Sequence, residues 1–322
     1  MRFTKLVKLI VGIVGFVSAV VSLLVYLGYL KDSTRSRQLT VPDEAYYTDV
    51  EELRRLAEAG DPRAQNFLGA TLANNAKDKI AARKWYYKAA IQGNSKAQFN
   101  LGVMYEKGEG GDQDYEKALG WLVKAAQQGY AEAQYEAAGI YANGSGSVKL
   151  DYRAALRLYS QAAEQGYVRA YPELGLMYLH GEGTSKDLAR ALQYFRAGAD
   201  VGDVTSEAHL AWRYYNGEGV PKDHALAAKW FREAADRGDA QSQVQLGFMF
   251  SRGLGVEQDD RRAFEWNMRA ADQGNMVAEK NIGAFFLTGR GVEQSIDKAK
   301  YWLGRAASRG QSEAMEYLNA IK

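Results

Sequence analysis

The 322-residue chain has no cysteine, which excludes disulfides, thiolate metal centres and cysteine nucleophiles, and lets it tolerate an oxidising or a reducing compartment equally. Histidine is nearly as scarce, with only His180, His209 and His224. His180 and His209 fall at different heights on neighbouring helical segments, no Ser/His/Asp set accompanies them, and no carboxylate pair recurs. Catalytic, metal and cofactor residues are therefore none, and a non-enzymatic protein is expected. A basic surplus is lacking too. Residues 1–37 carry six Lys/Arg against Asp32 alone, which leaves 35 basic and 38 acidic side chains afterwards. Nucleic acid demands a basic stripe, so no nucleic-acid partner is expected.

What the chain does have is glycine, at 33 positions, and much of it is in register. Helix-ending glycines fall at Gly60, Gly93, Gly129, Gly166, Gly202, Gly238, Gly274 and Gly310, most of them 36 residues apart. Gly-x-Gly opens at Gly108, Gly144, Gly181, Gly217, Gly253 and Gly289 with the same step. Self-similarity at that period marks a stacked repeat architecture, in which each unit packs on its neighbours. Within a unit, Ala97, Leu101, Met104 and Tyr105 keep helical spacing, and so do Ala118, Trp121, Leu122 and Ala125. Each unit is thus a pair of helices. Asp78, Asp114, Asp151, Asp187, Asp223, Asp259 and Ser295 precede the second helices as N-caps. Gly217-Glu-Gly219 and Gly253-Leu-Gly255 lack the strand and third glycine of a nucleotide loop, and read as turns.

The run Ala97-Gln-Phe-Asn-Leu-Gly-Val-Met-Tyr105, then Gly108-Glu-Gly110, then Tyr115-Glu-Lys-Ala-Leu-Gly-Trp-Leu-Val-Lys-Ala-Ala126, resembles the Sel-one-like repeat, a longer relative of the tetratricopeptide repeat. The resemblance covers residues 61–310 as seven helix-pair repeats. The first departs from the pattern, with Asn74-Asn75 in place of the Gly-x-Gly turn, and the third carries an extra residue and Ala138 where most others have glycine. The fold class implied is all-α, an α/α solenoid forming a right-handed superhelix, with the first helices lining a concave groove for a protein or peptide partner. Residues 49–60 are expected as an N-terminal capping helix and residues 311–322 as a C-terminal one.

Leu9 to Leu30 is a run of 22 residues without a charge, enough to cross a hydrocarbon core. Its length, with Tyr26 and Tyr29 near its end, favours an uncleaved transmembrane anchor over a signal peptide. Residues 1–8 are then a cytoplasmic tail and 31–48 a linker. Arg2, Lys5 and Lys8 are nearly matched by Lys31, Arg35 and Arg37, but a short tail ahead of the span usually stays inside. The expectation is a bacterial inner-membrane protein with periplasmic repeats.

The columns equivalent to 96, 99, 100, 103 and 107 point away from the buried stripe of the first helices. Column 103 reads Ala70, Val103, Gly139, Leu176, Trp212, Phe248 and Ala284, apolar and bulky in the middle. Trp85, Trp121, Trp230, Trp266 and Trp302 share a single column of the second helices, with Leu158 and Tyr194 completing it, and that column is expected to be core. Trp212 is out of register with them. Flanked by Leu176, Leu179, Tyr215 and Phe248, it has the composition of a binding hot spot, with His209, Glu173 and Gln245 as polar rim. The expected function is a membrane-anchored scaffold or adaptor of the cell envelope. Proteins similar to this family include immunity factors that neutralise secreted toxins such as phospholipase effectors, which gives the alternative. An envelope enzyme or glycan-binding regulator is the third reading.

Overall fold

A computed structural model describes residues 50–74 and 78–321. The expected tail, transmembrane anchor and linker, residues 1–48, lie outside the described residues. Sixteen α-helices and no strand occur among the described residues, which fall into two units, 1–59 and 60–322. The first unit contributes α1 (Val50–Glu58), an amphipathic helix with Leu53 and Ala57 buried one turn apart and an exposed Arg55–Glu52 ion pair of 2.7 Å.

The second unit is a solenoid of helix pairs. Its first helices are α2 (Pro62–Ala73), α4 (Ser95–Lys107), α6 (Ala131–Asn143), α8 (Ala170–His180), α10 (Val204–Asn216), α12 (Ala240–Arg252) and α14 (Met276–Thr288). Each is followed by a second helix: α3 (Lys79–Ile91), α5 (Tyr115–Gln127), α7 (Tyr152–Glu164), α9 (Leu188–Asp200), α11 (His224–Asp236), α13 (Asp260–Asp272) and α15 (Ile296–Ser308). A final helix, α16 (Ser312–Ala320), packs on α14 and α15.

Local chemistry sets the helix ends. The periodic stop glycines adopt φ between +79° and +100°, the left-handed region that a side chain disfavours. Asp114, Asp151, Asp187, Asp223, Asp259 and Ser295 each accept the amide three residues on, as N-caps should. Asp78 departs from the other six: its backbone is not extended, with φ −110° and ψ 9°, and it makes no capping bond to α3. The first helices are capped as well, by Asp61, Asn94, Asp203, Asp239 and Asn275.

Of the tryptophan column only Leu158 is core. Trp85, Trp121, Trp230, Trp266 and Trp302 are all half-buried, and the fully covered column is the next one: Tyr86, Leu122, Tyr159, Phe195, Phe231, Asn267 and Leu303. One residue is a 100° rotation, and it turns the large indoles onto the flank. There Lys88, Lys124, Lys229, Arg269 and Arg305 lie over them at 3.9 to 4.9 Å from the ring centroids. The covered column meets a glycine row on the first helices. A Cβ on Gly102 would stand 2.7 Å from Leu122, and one on Gly175 2.4 Å from Phe195. Glycine there lets the helices of a pair close on a bulky side chain.

A buried polar ladder joins the repeats. The Gln98 carboxamide donates to Ala90 O of the preceding repeat (3.1 Å) and accepts from Gln128 of its own (2.7 Å). Gln134 repeats the pattern with Ala126 O and Gln165, and Gln243 with Ala235 O and Gln273. Glutamate replaces glutamine at two rungs, where the partner becomes arginine: Glu207 with Arg237 at 3.1 Å, Glu279 with Arg305 at 2.8 Å and Arg309 at 3.4 Å. At Tyr171 the hydroxyl reaches Ala163 O at 3.4 Å, but the position matching Gln128 is the exposed Val201. The same repeat begins irregularly. Its first helix, α8, has 11 residues where most first helices have 13, its N-cap Arg169 makes no side-chain cap, and the α7–α8 seam is the loosest junction between repeats.

Candidate functional site

Two neighbouring rows line the outward side of the first helices. Row one holds Asn100, Glu136, Glu173, His209, Gln245 and Asn281, every one half-buried and capable of hydrogen bonding. Row two, three residues further along each helix, holds Val103, Gly139, Leu176, Trp212, Phe248 and Ala284, half-buried except the exposed Phe248. Helical spacing makes the rows adjacent on one face. Asn100 Nδ2 donates to Asn66 Oδ1 at 3.1 Å, tying α4 to α2 along that face.

The middle of row two is aromatic. Trp212 packs edge-on to Phe231 (5.2 Å, 87°) and to Tyr215 (5.5 Å, 81°), and Tyr215 tilts against His224 at 5.0 Å. Leu176, Leu179, Trp212 and Tyr215 all rest on one core cluster, so the structure brings these four together. Trp212 is thus half-buried, packed on Phe231 and Tyr215 and in part open to the surface. His209 stacks on Phe195 at 4.9 Å and 19°, and burial, helped by Arg213, lowers its pKa and keeps the ring neutral.

Phe248 and Gln245 stand apart from that cluster. Phe248 is 39 % exposed and lines a cavity of about 300 Å³ together with Asn267, Asn281, Phe285 and Tyr317. Asn267 takes a core position that is aromatic or leucine in the other repeats, donating to Ala263 O at 2.8 Å and accepting from Asn281 at 2.9 Å.

Glu173 and Leu176 face a larger cavity, of about 550 Å³, with Gly139 in its lining. Tyr135, Tyr152 and Tyr159 wall it, and Glu106, Glu136 and Glu182 join Glu173 around it. Arg169 stands against them, 3.5 Å from Glu136 and 4.4 Å from the Tyr135 ring centre. Burial raises the pKa of Glu106, and Glu136 adds to the rise; burial also raises Glu173, opposed by Arg169 and Tyr135. The Tyr159 phenol is pushed far up by burial, with Glu173 contributing. The one trace of this cavity in the sequence is Gly139, which interrupts a bulky row. Among the described residues no three His, Asp or Glu side chains are placed to share a metal ion.

Seven consecutive segments, 62–94, 95–130, 131–167, 169–203, 204–239, 240–275 and 277–311, match the Sel1 repeat. The chain belongs to the Sel1 repeat family. As a Sel1 repeat protein it is similar in structure to a protective antigen present in uropathogenic Escherichia coli strains, with a TM-score of 0.80 and 33% identity over 85% of this chain and 59% of that one. A Sel1 repeat protein from Oxalobacter formigenes superposes with a TM-score of 0.75 at 33% identity, over 88% of this chain and 83% of that one. In Rattus norvegicus, DAP3-binding cell death enhancer 1 is 38% identical over 79 residues, a stretch that is 24% of this chain and only 15% of that protein. The Sel1-repeat fold is shared with the two solved structures.

Proposed function

We propose that this Sel1 repeat protein is a protein-binding scaffold that takes an extended segment of a partner on the outward face of its first helices. The observation that carries the reading is the pairing of rows: hydrogen-bonding groups from Asn100 to Asn281 beside an apolar row from Val103 to Phe248, on consecutive rigid helices. Such a face offers a partner backbone donors and acceptors and its side chains apolar seats. First helices of successive repeats approach each other directly at α8 and α10 and at α14 and α16, which supports a stack that is tighter, and so concave, on this side. Trp212, half-buried, and Phe248, exposed, are the aromatic anchors such a face requires.

In this reading residues 9–30 hold the scaffold at a membrane, supported by their 22 uncharged positions. The test uses the full-length chain beside a Phe248→Ala/Trp212→Leu double variant. Leucine is the residue that row two already carries at Leu176, so the core contact under Trp212 is largely kept. A stoichiometric partner retained by the parent and lost by the variant, at unchanged helicity, is the expected result. Retention by both would remove the rows from the site. A captured enzyme whose activity falls on binding would specify the scaffold as an inhibitor.

A further inference from the structure

Gly139 is the one glycine in row two, between Val103 and Leu176, and the missing side chain opens the 550 Å³ cavity. We propose that this cavity binds a lysine or arginine side chain presented by a partner segment lying along the rows. The proposal rests on the groove reading for the segment and on the cavity's own chemistry for the side chain.

Three features of the cavity define that occupant. Its charge is predominantly negative, with four glutamates against Arg169 and His180; the Arg169 guanidinium is engaged by Glu136 and the Tyr135 ring, and Glu106, Glu173 and Glu182 make no ion pair among the described residues. Its walls are tyrosines, whose ring faces attract cations, and Arg169 over Tyr135 already displays that geometry. Third, Tyr159 is 5 % exposed, lines the cavity, and makes no hydrogen bond to another described residue; its hydroxyl lies 3.6 Å from where a Cβ on Gly139 would stand. Set beside carboxylates, that phenol oxygen can accept from a cationic donor entering the cavity. Leu176 and Met177 supply the apolar side against which an aliphatic stem would lie. A bare metal ion does not fit, since the acidic groups do not converge on one point. An anion is repelled.

The local sequence accounts for the cavity. In most repeats a first-helix glycine receives the bulky second-helix side chain, as Gly175 receives Phe195. Here that slot holds Ala138, and the Tyr159 hydroxyl lies over Gly139 instead. Burial raises the carboxyl pKa values of Glu106 and Glu173, which fits acids enclosed by the cavity walls.

The probes are N-acetyl-lysine methylamide and N-acetyl-arginine methylamide, titrated against the full-length protein by ligand-observed NMR, with the norleucine and glutamate derivatives as controls. Saturable binding of at least one cationic probe, weakened about tenfold in Gly139→Leu and in Glu173→Gln, is expected from a desolvated cation–aromatic and charge contact. Gly139→Ala keeps binding, because its methyl meets Tyr159 at ordinary contact distance. Norleucine binding as well as lysine, cationic probes failing to saturate, or equal binding by Gly139→Leu of unchanged melting temperature, would each overturn the proposal. A captured partner lost by the Phe248/Trp212 variant but held normally by Gly139→Leu would also overturn it and leave the groove reading intact.

Discussion

Glu207 stands at a ladder rung where Gln98, Gln134 and Gln243 each use an amide nitrogen to donate to a carbonyl eight residues back. A carboxylate has no such donor, and Glu207 Oε2 is buried without a partner. Burial raises its pKa, Glu233 and Asp203 add to the rise, and Arg237 opposes it. The folded state therefore holds this proton at pH values where the unfolded chain has released it. Stability contributed by the protonated form is fully present below the ordinary value of 4.5 and is lost as pH rises from there through the folded value. Glu207→Gln should stabilise the array near pH 7 by about 1 kcal/mol, by supplying the donor for Ala199 O, and should flatten the fall in melting temperature between pH 4 and 7. A variant less stable than the parent at pH 7 would show that the Arg237 pair dominates. His209 works in the opposite direction, since its lowered pKa makes stability decline as pH drops below 6.5. The ladder column reads as polar surface in a hydropathy pattern. Its signal was nonetheless in the chain, where Gln98/Gln128 and Gln243/Gln273 change together to Glu207/Arg237 and Glu279/Arg309.

At the scale of the helix, glycines that look alike do different things. A Cβ on Gly175 would lie 2.4 to 2.8 Å from the Phe195 ring, which sits fully buried under it. Gly175→Ala should cost roughly 1–3 kcal/mol as overpacking. Gly120 in α5 and Gly304 in α15 have nothing within 4 Å of that point, so alanine there should stabilise by about 0.5–1 kcal/mol through helix propensity. Thermal unfolding of the single variants checks both signs. Helix ends were legible in the sequence because a cap or a left-handed glycine acts within three or four residues. Which of two adjacent columns is buried was less so: Trp121 and Leu122 differ by one step, and apolar size favoured the wrong member. Gly255 shows the same limit. It reads as a turn, and its φ of +66° agrees, but its further constraint is that a Cβ would stand 2.2 Å from His224 O of the second helix before it.

For the whole array, the period makes seven repeats readable in the sequence, since each unit repeats the same local solution. The rows were readable in part: Trp212, Phe248 and Leu176 by size, but not the cavity, which depends on Tyr159 crossing from the second helix to Gly139. The proposed reading of residues 9–30 as a membrane anchor also carries an orientation, with the repeats outside the cytoplasm. Alkaline phosphatase fused after Lys322 should be active and green fluorescent protein at the same place dark; the reverse pattern would put the repeats in the cytoplasm. Within the array, hydrogen exchange should be fastest, among the first helices of the interior repeats, at α8, where the cap is missing and the ladder loses its partner at Val201.

That seam also has a mechanical meaning. Repeats joined only to their neighbours behave as springs in series, and in such a chain the softest joint takes most of any imposed bend. With the loosest packing at α7–α8, the first three repeats and the last four act as two stiff arms, and a load pulling on either end is felt chiefly between Glu164 and Ala170.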